Sequence, residues 1–68
     1  MRHAIFERVG VLVLRAWIEP GSAIRLRVRI TSNPDIRHKD ESSIVVTNAE
    51  EATAVVTEWL EKFISEQG

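Results

Sequence analysis

The sequence predicts an α+β fold, in which a three-stranded antiparallel β-sheet (a meander) is packed on one face by a single C-terminal α-helix. Two observations predict the sheet: a largely apolar run near the N-terminus, and an alternation over 23–31 in which three arginines and a threonine separate apolar residues. A third predicts the helix, because apolar residues recur every three or four positions in the last third of the chain. With 68 residues, the chain forms one domain near the lower size limit for a self-sufficient core.

The first strand is predicted over residues 4–18, or from near Val9 if Gly10 marks a bulge or bend. Its centre, residues 11–14, is apolar at consecutive positions, which is typical of a strand covered on both faces. The residues at 19–22, Glu-Pro-Gly-Ser, place Pro and Gly for a type II turn into the next strand.

The second strand is predicted over residues 23–31, and its register decides which side chains face the helix. Pairing Leu14 with Val28 places the apolar residues of both strands on one face, whereas a slip of one residue turns the first strand over. We therefore expect this register. The residues predicted to face the helix are Leu12, Leu14, Ala16, Ile18, Ile24, Leu26, Val28 and Ile30.

Residues 32–43 are polar and turn-rich, and we expect an exposed, mobile loop there. A short third strand is predicted over 43–47 and a helix over 48–65. Thr47 with Glu50, and Asn48 with Glu51, both have capping-box spacing at the start of the helix. The predicted apolar stripe of the helix consists of Ala52, Val55, Val56, Trp59, Leu60, Phe63 and Ile64.

Charge is unevenly distributed, although the net charge is only −1. Residues 1–31 contain six arginines and two glutamates, whereas residues 47–68 contain five glutamates and one lysine. The chain has no cysteine, which excludes disulfides and thiolate zinc sites. No apolar run reaches the roughly 18–20 residues of a membrane span, and Glu7 and Arg8 interrupt any signal-peptide pattern. We expect a cytoplasmic protein without membrane association.

The sheet face that points away from the helix is the feature most relevant to function. It is half apolar and half basic, so its apolar and aromatic residues would anchor a partner while its arginines set charge complementarity. The predicted contact residues are Val11, Val13, Arg15, Trp17, Arg25, Arg27 and Arg29.

Two kinds of partner fit this face. An apolar strip with an exposed Trp, or a first strand at the sheet edge, favours a second copy of the chain, so the sequence predicts a homodimer and contact with a protein partner. The alternative is a nucleic-acid-binding protein, with the four arginines on phosphates and Trp17 on a base. The acidic helix and the absence of a recognised nucleic-acid motif weigh against this alternative.

The sequence does not predict an enzyme, a cofactor or a metal site. His3 and His38 are the only histidines, and neither has a nucleophile or carboxylate at catalytic spacing. They also lack an identifiable third metal ligand. Phosphate-loop and dinucleotide motifs are absent.

Two short motifs carry a resemblance to a known family. Asn-Pro-Asp-Ile at 33–36 follows the second strand, and Thr-Asn-Ala-Glu-Glu-Ala at 47–52 opens the helix. With this order of elements, residues 11–63 resemble the partial ribonuclease-H-like domain of HicB-type antitoxins. The chain also resembles small β-β-β-α proteins without an assigned function. Arg-His-Lys at 37–39 replaces the Pro-Gly-Cys of many HicB members. The resemblance implies a non-catalytic domain that oligomerises and contacts a partner protein.

Overall fold

The computed structural model describes residues 7–21, 23 and 25–66. Three strands, β1 (Val11–Ile18), β2 (Leu26–Asn33) and β3 (Ser42–Val46), precede one helix, α1 (Ala49–Ser65). The strands form an antiparallel sheet in the order β1-β2-β3. The predicted α+β fold with a β-β-β-α order is therefore confirmed.

The start of α1 follows from its cap. Asn48 is extended, and its side chain accepts a hydrogen bond from the backbone N–H of Glu51 at 2.7 Å. This bond satisfies one of the helix's free N–H groups, while Glu50 and Glu51 complement the positive end of the helix dipole. Of the two predicted caps, Asn48 is the one used, and the helix begins one residue later than predicted.

The first strand is shorter than predicted. Residues 7–10 are not in a strand, and predicted strand residues 4–6 lie outside the described residues. A Cβ placed on Gly10 would lie 2.7 Å from Phe63 and 2.9 Å from Trp59, so the backbone runs against these rings. Gly10 is therefore a point of close approach between the N-terminal segment and the helix, and the strand begins after it.

The predicted register is wrong by two residues. Leu14 pairs with Ile30 rather than Val28, and Ile18 pairs with Leu26. The predicted partner of Ile18, Ile24, lies outside the described residues. Because the slip is even, each side chain keeps its predicted face. The second and third strands consequently run over Leu26–Asn33 and Ser42–Val46 instead of 23–31 and 43–47.

The core lies between α1 and the strands β2 and β3. Its most buried side chain is Ile30, which is 1% exposed. Leu12, Leu26 and Val55 pack against the edge of this cluster. The predicted helix-facing surface of the sheet is therefore correct for β2. The buried core residues are Val28, Ile30, Val46 and Ala52.

The helix covers less of the sheet than its sequence pattern predicts. Leu14 and Ile18, both assigned to the covered surface, are 48% and 56% exposed, and Ala16 is also exposed. On the helix, Leu60 and Ile64 are exposed although they belong to the predicted stripe. Since α1 lies over β2 and β3, the helix-side face of β1 stays largely open.

Residues 34–41 connect β2 to β3 through a turn built on two side chains. Asn33 accepts from the Asp35 backbone N–H at 3.0 Å and donates to the His38 carbonyl at 2.9 Å. The Asp35 carboxylate accepts from the backbone N–H of Arg37 and from its guanidinium, at 2.7–3.0 Å. The connection is exposed over 36–41, as predicted, but an Asx-type hydrogen-bond pattern orders its first half.

Candidate interaction surfaces

The predicted contact residues come together on the sheet face opposite α1. Val11, Val13, Arg15 and Trp17 alternate along β1 with the core-facing residues, and Arg27 and Arg29 do the same along β2. Arg25 precedes β2 instead of lying within it, and its carbonyl accepts a hydrogen bond from the backbone N–H of Glu19. We call these seven residues the outer-face patch.

Two arginines of the outer-face patch lie directly opposite each other. The register pairs Arg15 with Arg29 across β1 and β2, and pairs Trp17 with Arg27 one step further along. Like charges at opposed positions on one sheet face repel each other. Within the described part of the chain, Arg15, Arg25 and Arg29 form no salt bridge. This end of the patch is thus a concentration of positive charge.

Trp17 is half-buried rather than exposed, which corrects the prediction. The guanidinium of Arg15 lies 5.3 Å from the centre of the Trp17 ring. The indole Nε1–H of Trp17 donates a hydrogen bond to the Glu19 carboxylate at 3.2 Å. The ring is therefore partly covered, and its polar atom is already satisfied. An aromatic ring held in this way is a rigid anchor with less free surface for base stacking.

The other end of the outer-face patch is apolar. Val11 and Val13 are 43% and 55% exposed, and they line a shallow depression with Ile36 and Glu41. Val45 on β3 is also exposed, but it lies beside Arg29 in the basic half of the face. Both halves of the face predicted from the sequence are present.

The free edge of β1 is a second exposed feature. The backbone N–H of Glu19 donates to the carbonyl of Arg25, so these two residues form a hydrogen-bonded pair. Because such pairs occur at every second position of an antiparallel ladder, the odd-numbered residues of β1 direct their backbone groups toward β2. The backbone groups of the even-numbered residues therefore point away from the sheet, and no described residue pairs with them. A strand of eight residues that has one unpaired edge and carries one charge is open to pairing with another chain.

A groove of about 420 Å³ runs beside this edge, between β1 and the first half of α1. The sequence does not predict this groove, because Leu14, Leu26 and Val56 have the spacing of residues in the covered core. Beyond the groove, the exposed residues Leu60 and Ile64 follow Val56 along α1 at four-residue steps, which places them on the same side of the helix. We call this feature the edge groove. Its lining includes Leu14, Ala16, Leu26, Val56 and Thr53.

One histidine, and no cluster of side chains that could hold a metal ion, lies within the described residues. His38 lies 3.8 Å from Asp35 and is exposed, while His3 is outside the described residues. Within those residues no group of three or more His, Asp or Glu side chains could hold a metal ion. The one described helix is too short and too polar to cross a membrane.

Comparison with protein-family models, curated proteins and solved structures finds no match to this chain. The resemblance to HicB-type antitoxins stays a prediction from the sequence. The outer-face patch and the edge groove beside β1 are the surfaces through which the protein could bind a partner.

Proposed function

We propose that this protein is a non-catalytic binding or regulatory module of the cytoplasm that acts as a homodimer and contacts a partner through the outer-face patch. The observation that carries the proposal is the alignment of Arg15 with Arg29 beside the exposed Val11 and Val13. A surface of this kind is complementary to a protein segment that combines carboxylates with apolar side chains.

Two copies could contact each other through the outer-face patch or along β1, and charge distinguishes these two interfaces. A two-fold contact through the outer-face patch would bring the arginines of two copies together without an opposing charge. Contact along β1 instead satisfies unpaired backbone groups and covers exposed Leu14 and Ala16. The edge of β1 is therefore the favoured dimer interface. Contact there leaves the outer-face patch free to bind a different partner.

The partner site is tested by calorimetric titration with a synthetic peptide of alternating Glu and Val. We expect saturable binding that weakens at least about tenfold in Arg29→Glu, because the reversed charge repels the peptide. Lys39→Glu is the matched control, since it makes the same charge change in the exposed loop. No binding at low salt, or equal loss in both variants, would contradict the proposed site.

The dimer is tested by sedimentation equilibrium of the wild-type protein from low to high micromolar concentration. We expect a mass approaching twice the 7.7 kDa of the chain. A mass of one chain throughout this range would refute the homodimer.

Nucleic-acid binding is the second candidate, and the facing pair Arg15 and Arg29 favours it. Opposed guanidinium groups could share neighbouring phosphates of a backbone. If this candidate holds, an oligothymidylate binds more tightly than the acidic peptide, and its affinity falls steeply with added salt. Undetectable oligonucleotide binding at low salt would eliminate it.

A further inference from the structure

The edge groove and the free edge of β1 share one strand, and together they specify how a second copy would dock. We infer that two copies pair antiparallel along β1, about a two-fold axis through Leu14, to form a continuous six-stranded sheet with both helices on the same face. This inference rests on the proposed homodimer and adds its register and geometry.

Backbone geometry limits the possible registers. Only the even-numbered residues of β1 direct their N–H and C=O groups outward, so they must face one another in an antiparallel pair. Any two-fold register consistent with this condition keeps each face of the sheet continuous across the junction. Both helices then lie on one side, and both outer-face patches lie on the other.

Charge and the number of paired residues select among the remaining registers. An axis through Arg15 would place Arg15 against its own copy, which is a destabilising arrangement of like charges. An axis through Val13 leaves the last three strand residues unpaired. With the axis through Leu14, Arg15 faces Val13 of the second copy and Trp17 faces Val11, so seven of the eight residues of β1 are paired.

The same register accounts for the exposed apolar residues beside β1. Leu14 meets its own copy at the axis, on the helix side of the sheet. The two edge grooves then merge into one trough with Leu14 and Ala16 on its floor. The exposed row containing Leu60 and Ile64 faces the axis from each helix. Apolar surface that is unusual on a monomer thus lies along the junction.

Single-cysteine variants test the register directly, because the chain has no cysteine of its own. In the inferred pair, residue 14 of each copy is about 5.5 Å from its counterpart, which is within disulfide range. Residues 12 and 16 lie about 14 Å from theirs, because each is offset by four strand positions. Leu12→Cys and Ala16→Cys are therefore matched controls on the same edge. Arg15→Cys tests the alternative register, in which the two-fold axis passes through Arg15 and the two copies of residue 15 face each other.

Under mild oxidation at a concentration where the wild type is dimeric, we expect Leu14→Cys to form a covalent dimer at least about tenfold faster than Leu12→Cys or Ala16→Cys. Circular dichroism checks that every variant is folded. Equal rates across the series, or fastest cross-linking of Arg15→Cys, would overturn the inferred register while leaving the homodimer in place. A monomeric wild type in sedimentation would overturn both.

Discussion

The guanidinium of Arg8 lies 4.2 Å from the centre of the Phe63 ring and donates to the Phe63 carbonyl at the C-terminal end of α1. It also forms a 3.4 Å salt bridge with Glu66. One side chain thus joins the N-terminal segment to the helix through a cation–π contact and a cationic cap. This contact holds the segment that precedes β1 against the C-terminal end of α1.

Replacing Arg8 should loosen this end of the molecule. Arg8→Ala should lower the free energy of unfolding by about 1–2 kcal/mol, because it removes the ring contact and the charge at the helix end. Urea denaturation measures this loss. Arg15→Ala is the control, since exposed Arg15 also lies over a ring, and we expect a change within about 0.5 kcal/mol. Similar losses in both variants would show that Arg8 does not anchor the segment.

Gly10 should be intolerant of any side chain. Gly10→Ala should cost about 1–3 kcal/mol, because its Cβ would lie 2.7 Å from Phe63 and 3.1 Å from the Pro34 carbonyl. Gly21→Ala provides a contrast: nothing crowds it, but its φ of 78° strains an alanine by about 1 kcal/mol. Thermal unfolding compares the two. An unchanged melting temperature in Gly10→Ala would contradict the close approach.

The two tryptophans should separate folding from binding. Trp59 is half-buried and stacks on Phe63 with ring centres 5.3 Å apart, so Trp59→Ala should cost about 2–3 kcal/mol of stability. Trp17→Ala should cost less stability but weaken partner binding, because its ring belongs to the outer-face patch. It should also weaken dimerisation, because Trp17 faces Val11 of the second copy in the inferred register. Denaturation and sedimentation on both variants test this. Equal loss of folding from both changes would mean that the sheet faces have been misassigned.

Charge changes at Val13 should alter dimer affinity in opposite directions. In the inferred register Val13 faces Arg15 of the second copy, so Val13→Glu creates two opposite-charge pairs per dimer and Val13→Lys creates two like-charge pairs. We expect roughly fivefold tighter association for Val13→Glu and weaker association for Val13→Lys. Sedimentation equilibrium at low salt measures both constants. Weakening by both substitutions would contradict the pairing of these residues.

The Asp35 turn should withstand mild acid. Side-chain and backbone hydrogen bonds from Arg37 hold the pKa of the Asp35 carboxyl well below its usual range, and Asp35 raises the pKa of the Arg37 guanidinium. Because the folded-state pKa is depressed, the turn gains this stabilisation above the ordinary aspartate pKa of about 3.9 and loses it as the pH falls through the folded value.

Carbon-detected NMR of the Asp35 carboxyl measures this titration. We expect its midpoint far below the ordinary aspartate value in the wild type, and close to that value in Arg37→Ala. Arg37→Lys should fall between them, since it keeps the charge but loses the paired guanidinium contact. An ordinary midpoint in the wild type would refute the bidentate geometry.

The fold class was predictable because periodicity reports which face a residue occupies. Alternation along β2 and the three-and-four spacing along α1 identified the faces of Val28, Ile30 and Ala52 correctly. The exact register of β1 against β2 was not predictable. A shift of two residues leaves every side chain on the same face of the sheet and changes only the length of the connecting turn. The Glu19–Arg25 hydrogen bond, which places the ladder in its register, has no signature in the sequence.

The edge groove could not be predicted for a different reason. Leu14, Leu60 and Ile64 have the composition and spacing of core residues, and only the lateral position of α1 leaves them exposed. That position depends on how the helix end packs against Gly10 and Arg8, which are distant in sequence. Apolar patterning alone does not distinguish a residue buried in its own core from one available to a second copy.

Backbone amide hydrogen exchange of the wild-type protein tests the β1 contact most directly. The amides of Val13 and Arg15 bond to β2 and should be protected in any state, whereas those of Leu14 and Ala16 point outward. We predict that Leu14 and Ala16 exchange freely at low concentration and become at least about tenfold slower as the protein dimerises. Free exchange of both amides at concentrations where the protein is a dimer would contradict pairing along β1.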